Sequence, residues 1–210
     1  MSDLFAMIAD ERRILGDTVD SLTDAQWTAP SAMGGWQIRH VVAHLVWPLE
    51  ASLAGTLARL VRAGFSFNRM ADQQADGEKR PARALAAVLR TRADHRFTPP
   101  GMGPEAPLSD IIVHGLDIRR PLGLKRAFPA ERTGIVLDHL MRTGNMKFFG
   151  TPLGFRFVAE DTGWASRGDG PVVSGTAEAL LLSVTGRKMA LPELKGDGAD
   201  PFRAAFTEYR

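Results

Sequence analysis

The chain has 210 residues, 44% of them hydrophobic and 24% charged, with 26 basic against 24 acidic residues and a net charge of +2. Such totals belong to an ordinary soluble protein that can bury a sizeable core, and no stretch approaches the roughly 20 uninterrupted apolar residues of a membrane span. There is no cysteine, which excludes disulfides, thiolate zinc ribbons and a thiol nucleophile of the protein's own.

The N-terminus, MSDLFAMIADERR, places acidic residues early and lacks a basic segment followed by an apolar run, so it does not read as a signal peptide. A cytoplasmic location is the expectation. The sequence pI of 9.3 arises from a nearly balanced charge. Basic residues such as Arg12, Arg13, Arg90, Arg92, Arg119 and Arg120 are scattered and do not gather on one helix with aromatics, so nucleic acid is not an expected partner.

In chain order, helical spacing of Leu4, Ile8, Leu15, Val19 and Leu22 predicts a first helix over 3–22, capped by Ser2 or Asp3. A connection over 23–35 carries Trp27, Pro30, Gly34 and Gly35. A long second helix is expected from Gln37 toward Arg62, adjusted near Pro48, which lacks the amide that would bond to the carbonyl of His44. Its first half is apolar on every side except at His40 and His44, as in a buried helix. Residues 68–80 are polar and read as a loop or short turn; Pro81 then opens a third helix to Arg96. The segment TPPGMGPEAP reads as irregular and leads to a fourth helix carrying Asp110 and His114, closed by Pro121 and Gly123. Pro129 introduces a fifth helix through Arg142. Five helices joined by short or moderate connections make an up-and-down bundle.

The texture changes after Gly144. Short alternating runs at 154–160, around Trp164 and at 171–174, separated by glycines, predict small strands. A compact helix over 176–185 stops at Gly186, and 201–209 suits a last helical turn or two. The expected organisation is a helical bundle over residues 1–148 and a small C-terminal α+β domain over residues 149–210.

Within the fourth helix, Asp110, His114 and Asp117 fall three, four and seven residues apart and share one face. His44 sits on the other strongly apolar helix. Packed side by side, the two helices would bring His44, Asp110 and His114 into one divalent metal site with open coordination positions. The alternative is a closed hydrogen-bonded network, with Asp110 accepting from His114 or His44 and Asp117 paired with Arg120 or Arg39. Asp117 is a candidate for orienting a ligand imidazole. His40 lies off the His44 direction and faces solvent or a supporting role, while His95 and His139 are expected at the surface.

The Trp27 to Ser31 loop, Gly35-Trp36, VVAHLV around His44, and the D-x-x-x-H-x-x-D-I run from Asp110 to Ile118 follow in an order that resembles the DinB-like bundles related to mycothiol-dependent maleylpyruvate isomerase. The segment from Gly170 to Arg187, followed by LKGDG, resembles the small C-terminal domain attached to them. The resemblance implies metal ligation by His44, Asp110 and His114, with Asp110 standing where the family has a glutamate one methylene longer. Zinc is the metal expected first, with nickel and iron as alternatives. It also implies that Arg187, closing the TGR turn, binds an anionic substrate. The implied cofactor is a low-molecular-weight thiol of the mycothiol type, the implied partner a small electrophilic substrate, and the implied activity a transferase or isomerase. A non-catalytic metal-binding or stress-associated DinB-like protein is the alternative. A homodimer is the assembly left open.

Overall fold

The computed structural model describes residues 3–206. The chain divides into two compact units, Met1–Leu122 and Gly123–Arg210. The division thus falls ahead of the fifth expected helix, and not after residue 148, because that helix packs against an element of the second unit.

In the first unit, α1 (Leu4–Asp20) starts where expected, with Asp3 Oδ1 accepting from the amides of Phe5 and Ala6 at 3.0 and 3.3 Å. The alternative cap, Ser2, lies outside the described residues. The single turn α2 (Asp24–Trp27) is closed by a capping box between Thr23 and Gln26. The long second helix is two helices. In α3 (Ile38–Glu50), Pro48 occupies the last turn, and the chain then runs extended at Ala51. Ser52 accepts from the Gly55 amide at 3.1 Å and starts α4 (Leu53–Arg62). The helix thus runs through Pro48, and the break comes after Glu50, at Ala51.

Residues 68–80 are not a loop: α5 (Phe67–Gly77) covers most of them, capped by Ser66. Its buried positions are Met70, Ala71 and Ala75, too few and too small to show a clear period in the sequence. Packing against α3 supplies what the helix lacks intrinsically. Pro81 immediately precedes α6 (Ala82–Thr91). The last helix of the unit, α7 (Glu105–Arg119), begins inside the segment expected to be irregular. Pro104 and Pro107 stand at its cap and first turn, where a helix makes no use of their missing amides.

Helix directions follow from the side-chain contacts. Arg12 donates to the carbonyls of Ala93 and His95, whereas Arg90, earlier on α6, reaches Asp20, so α1 and α6 are antiparallel. Arg119 donates to Thr18 and Asp110 interacts with Arg12, so α7 runs with α1. Ala32 donates to the carbonyl of Asp117 while His44 lies beside Asp110, so α3 opposes α7. Thus α1 and α7 point one way, α3 and α6 the other, and α4 with α5 forms the crossover between the two parallel members. Between the four lie Ile8, Leu15, Ile38, Val42, Leu85, Leu89, Leu108, Ile112 and Leu116, all excluded from solvent.

The second unit contains α8 (Ala130–Leu140), α9 (Thr143–Phe149), a three-stranded sheet, α10 (Ala177–Val184), a 3-10 turn (Lys188–Glu193) and α11 (Ala199–Ala205). The strands β1 (Arg156–Ala159), β2 (Trp164–Ala165) and β3 (Val172–Gly175) lie in the order β2-β1-β3, with β1 antiparallel to β2 and parallel to β3. Gly170 permits the close approach before β3, since a Cβ there would lie 1.9 Å from the carbonyl oxygen of Gly154. α10 is buried at almost every position and packs on α8. Phe155 and Phe157 stack edge-on against Phe202 of α11. The end of the expected last helix, beyond residue 206, lies outside the described residues. His139, expected at the surface, is buried in α8; His95 is exposed as expected.

The fold is mainly α, a helical bundle with a small α+β part. No helix among the described residues is long and apolar enough to cross a membrane. Truncating Ile112, fully buried on α7, is expected to lower the unfolding free energy by about 2–5 kcal/mol, read from the shift of a urea denaturation midpoint at unchanged slope.

Candidate metal centre

Helix α3 delivers His44 and helix α7 delivers Asp110 and His114 to one place. His44 Nε2 lies 3.5 Å from Asp110 Oδ1, and His114 Nε2 lies 3.4 Å from the same oxygen. The imidazole centroids are 4.9 Å apart and the rings inclined at 69°. One ligand atom from each residue lies within 4.8 Å of the others, the only such histidine and acid group among the described residues. Two imidazole nitrogens and a carboxylate oxygen suit a divalent ion of the zinc class and leave coordination positions for other ligands.

The surroundings treat the two histidines differently. His114 Nδ1 is 2.8 Å from Oδ2 of Asp117, one turn along α7 and fully buried. A carboxylate on the far nitrogen fixes the ring and leaves Nε2 to face the centre. His44 has no such support: its Nδ1 is buried without a hydrogen-bond partner among the described residues. The ring is held by packing, with Trp36 5.5 Å away and tilted at 57°, and with His114 on its other side. Trp36 is itself tethered, its indole N–H donating to Asp72 of α5 at 2.8 Å.

Burial by itself pushes the Asp110 carboxyl up, but hydrogen bonds from His114 and His44 reverse this and hold it far below the ordinary carboxylate range. Burial likewise favours neutral His114, yet Asp110 and Asp117 outweigh it and push the imidazole up to about 9. A proton therefore occupies the cluster at neutral pH, and any cation entering must displace it. The donor set fits a metal, and the same groups form a self-consistent hydrogen-bonded network around that proton.

His40 stands apart. Its Nδ1 accepts from the Gln37 amide at 3.2 Å at the start of α3, and its Nε2 faces Asp76 at 3.9 Å. Burial first, then Arg39 and Lys79 against Asp76, lowers its pKa. Arg39 donates to the carbonyl of Glu78, and Asp117 Oδ2 meets His114 Nδ1, the imidazole-orienting contact expected of it. Arg187 lies in the second unit beyond α10, where it is buried and donates to the carbonyl of Thr185.

Two contributors escaped the sequence reading. Trp36 was visible only as part of a motif. Arg12 is buried on α1 and interacts with Asp110; desolvation lowers its pKa to about 10. Its signal was present, since Arg12 falls at the Ile8, Leu15, Val19 spacing where a core residue belongs.

A bundle that gathers two histidines and a carboxylate between α3 and α7 falls in the DinB-like class. Residues 8–119, just over half of the chain, match the family model of the mycothiol maleylpyruvate isomerase N-terminal domain, and the chain belongs to that family. Two solved structures share the fold. One is a histidine-to-alanine mutant of mycothiol-dependent maleylpyruvate isomerase, 16% identical with a TM-score of 0.53; the other is mycothiol-dependent maleylpyruvate isomerase, 15% identical with a TM-score of 0.52. In both cases 95% of this chain and 97% of the other are covered. No curated protein matches the chain.

His114, raised from 6.5 to about 9, contributes stability that is complete below about pH 6.5 and is lost as pH rises through 9. The metal-free protein is expected to melt at a lower temperature at pH 9.5 than at pH 6.5. Asp117→Asn should flatten that slope and move the His114 imidazole titration, followed by NMR, toward its ordinary value.

Proposed function

We propose that this chain is a cytoplasmic, metal-dependent enzyme that uses a small thiol of the mycothiol type to isomerise, or transfer sulfur to, a small electrophilic substrate. The observation that carries the reading is the His44, Asp110 and His114 cluster inside a member of this family. The three residues are the proposed ligands of a divalent ion, zinc first and nickel or iron as alternatives. Such an ion, when bound, lowers the pKa of a thiol so that it is nucleophilic at neutral pH.

The chain's own residues supply the remainder. Asp117 holds the His114 ring with Nε2 toward the centre, and Asp110, whose side chain keeps 38% of its exposure, marks the open side. With no cysteine in the chain, the sulfur must arrive on a small molecule. Addition of that sulfur to an activated double bond, rotation and expulsion give isomerisation; retention gives transfer. Arg187 is the proposed partner of a substrate carboxylate. Maleylpyruvate, the substrate named for the structural neighbours, is the first to test.

A second reading, a non-catalytic metal-binding or stress-associated DinB-like protein, is favoured by one observation. Asp110 already bonds both imidazoles, so the cluster is satisfied as it stands.

Metal analysis of purified protein is expected to give about one divalent ion per chain, in line with a three-residue site, and none in His44→Ala or His114→Ala. Asp117→Asn should weaken metal affinity about 10–100-fold. Mycothiol binding measured calorimetrically should disappear with chelator. Binding that survives both chelator and His114→Ala overturns the enzyme reading, and a metal-loaded protein that binds no thiol supports the second.

A further inference from the structure

Helix α4 has two unlike sides. With α3 and α5 it borders a cavity of about 420 Å³, whose wall includes Trp47, Glu50, Gln73 and Glu78 and, from α4 itself, Gly55 and Arg59. Residues two apart on a helix do not share a face, so Leu57 and Val61, two positions beyond Gly55 and Arg59, come out on the far side. There they are 58% and 53% exposed, and Phe65, four residues on, is 72% exposed. Lone apolar side chains at a surface are ordinary. Three at four-residue intervals, each more than half in water, mark an interaction surface.

The backbone fixes the outermost member. Gly64 donates to the carbonyl of Val61 and Phe65 to that of Leu60, both at 2.9 Å, which closes α4 by a Schellman turn. This closure holds Phe65 at a φ of 60°, the one positive φ outside glycine among the described residues. That conformation is costly for a bulky side chain, and it sets the ring at the corner between α4 and α5. The charge around the patch has one sign: residues 51–71 contain Arg59, Arg62 and Arg69 and no acid. Arg62 adjoins Val61, and the Arg69 guanidinium lies beside Gly64, where a Cβ would be 3.5 Å from its Nη1. None of the three guanidiniums has an ion-pair partner among the described residues.

From these observations we infer that the outer edge of α4, from Leu57 to Phe65, docks on an anionic lipid bilayer, its apolar side chains at the acyl boundary and its arginines at the phosphates. Charge and shape select this occupant. A second copy of the chain would bring the same three arginines against these and be repelled. A helical peptide needs a groove, and side chains this exposed stand on a ridge. A bilayer offers negative charge, a surface that yields to a ridge and an apolar interior beneath it. The inference does not rest on the reaction proposed above.

Co-sedimentation of the full-length protein with vesicles tests it. The protein should bind vesicles of phosphatidylcholine mixed with phosphatidylglycerol, release with added salt, and bind phosphatidylcholine alone about tenfold or more weakly. Arg62→Gln and Arg69→Gln should each weaken binding about fivefold, the share of one basic residue near an anionic surface. Leu57→Asn with Phe65→Asn should weaken it about tenfold or more, and asparagine accepts the positive φ at position 65, so the turn is kept. Met102→Asn, at an exposed apolar position before α7, should change nothing. Thermal melts of all these variants should match the parent protein, since every substituted side chain is exposed. Failure to bind the mixed vesicles, equal binding to both kinds, or undiminished binding in the Leu57 and Phe65 double variant overturns the inference. So does a dimer in sedimentation velocity that the double variant dissolves, because the patch then belongs to a second copy.

Discussion

A carboxylate shared by two imidazoles inside an apolar bundle is the constraint on which the first unit depends. Asp110 keeps 38% of its side-chain exposure on one side, and on the other His44 and His114 both meet the same oxygen and hold it ionised. One donor is four residues away on its own helix, the other on α3. The ion pair therefore ties α3 to α7 at one register, where Val42, Ile112 and Leu116 supply bulk without direction. Removing either imidazole takes away one of the two groups that favour the carboxylate form.

The two imidazoles are not equivalent. His114 is gripped on both nitrogens, by Asp110 and by the fully buried Asp117. His44 is gripped on one, and its other nitrogen has no hydrogen-bond partner among the described residues. Trp36 and the edge of His114 confine the ring sterically. A rigid histidine and a sterically retained one thus face each other across a common acid.

Much of this was legible beforehand. The four-residue interval of Asp110 and His114 and the apolar surroundings of His44 are properties of spacing, and helical geometry turns spacing directly into adjacency. The contact of Asp117 with the His114 imidazole was legible in the same way, since the two lie three residues apart on one helix face. The backbone bond from Ala32 to the Asp117 carbonyl, which seats this end of α7, was not. Helix α5 escaped because its buried face is Met70, Ala71 and Ala75, a stripe whose apolar contrast is too faint to read. The division between the units escaped for another reason. Composition changes after Gly144, but packing partners change sooner, at α8, and contacts between distant segments leave no trace in local composition.

The parallel run of α3 and α6 obliges the chain to travel the length of the bundle between them, and it does so through α4 and α5. That traverse supplies Arg59, Gln73 and Glu78 to the cavity wall and none of the three cluster residues. Helix α3 carries His44 of the cluster together with Trp47 and Glu50 of the wall, whereas α4 and α5 add wall residues only. Substitutions along α4 and α5 therefore reshape the cavity and touch none of the three residues of the cluster.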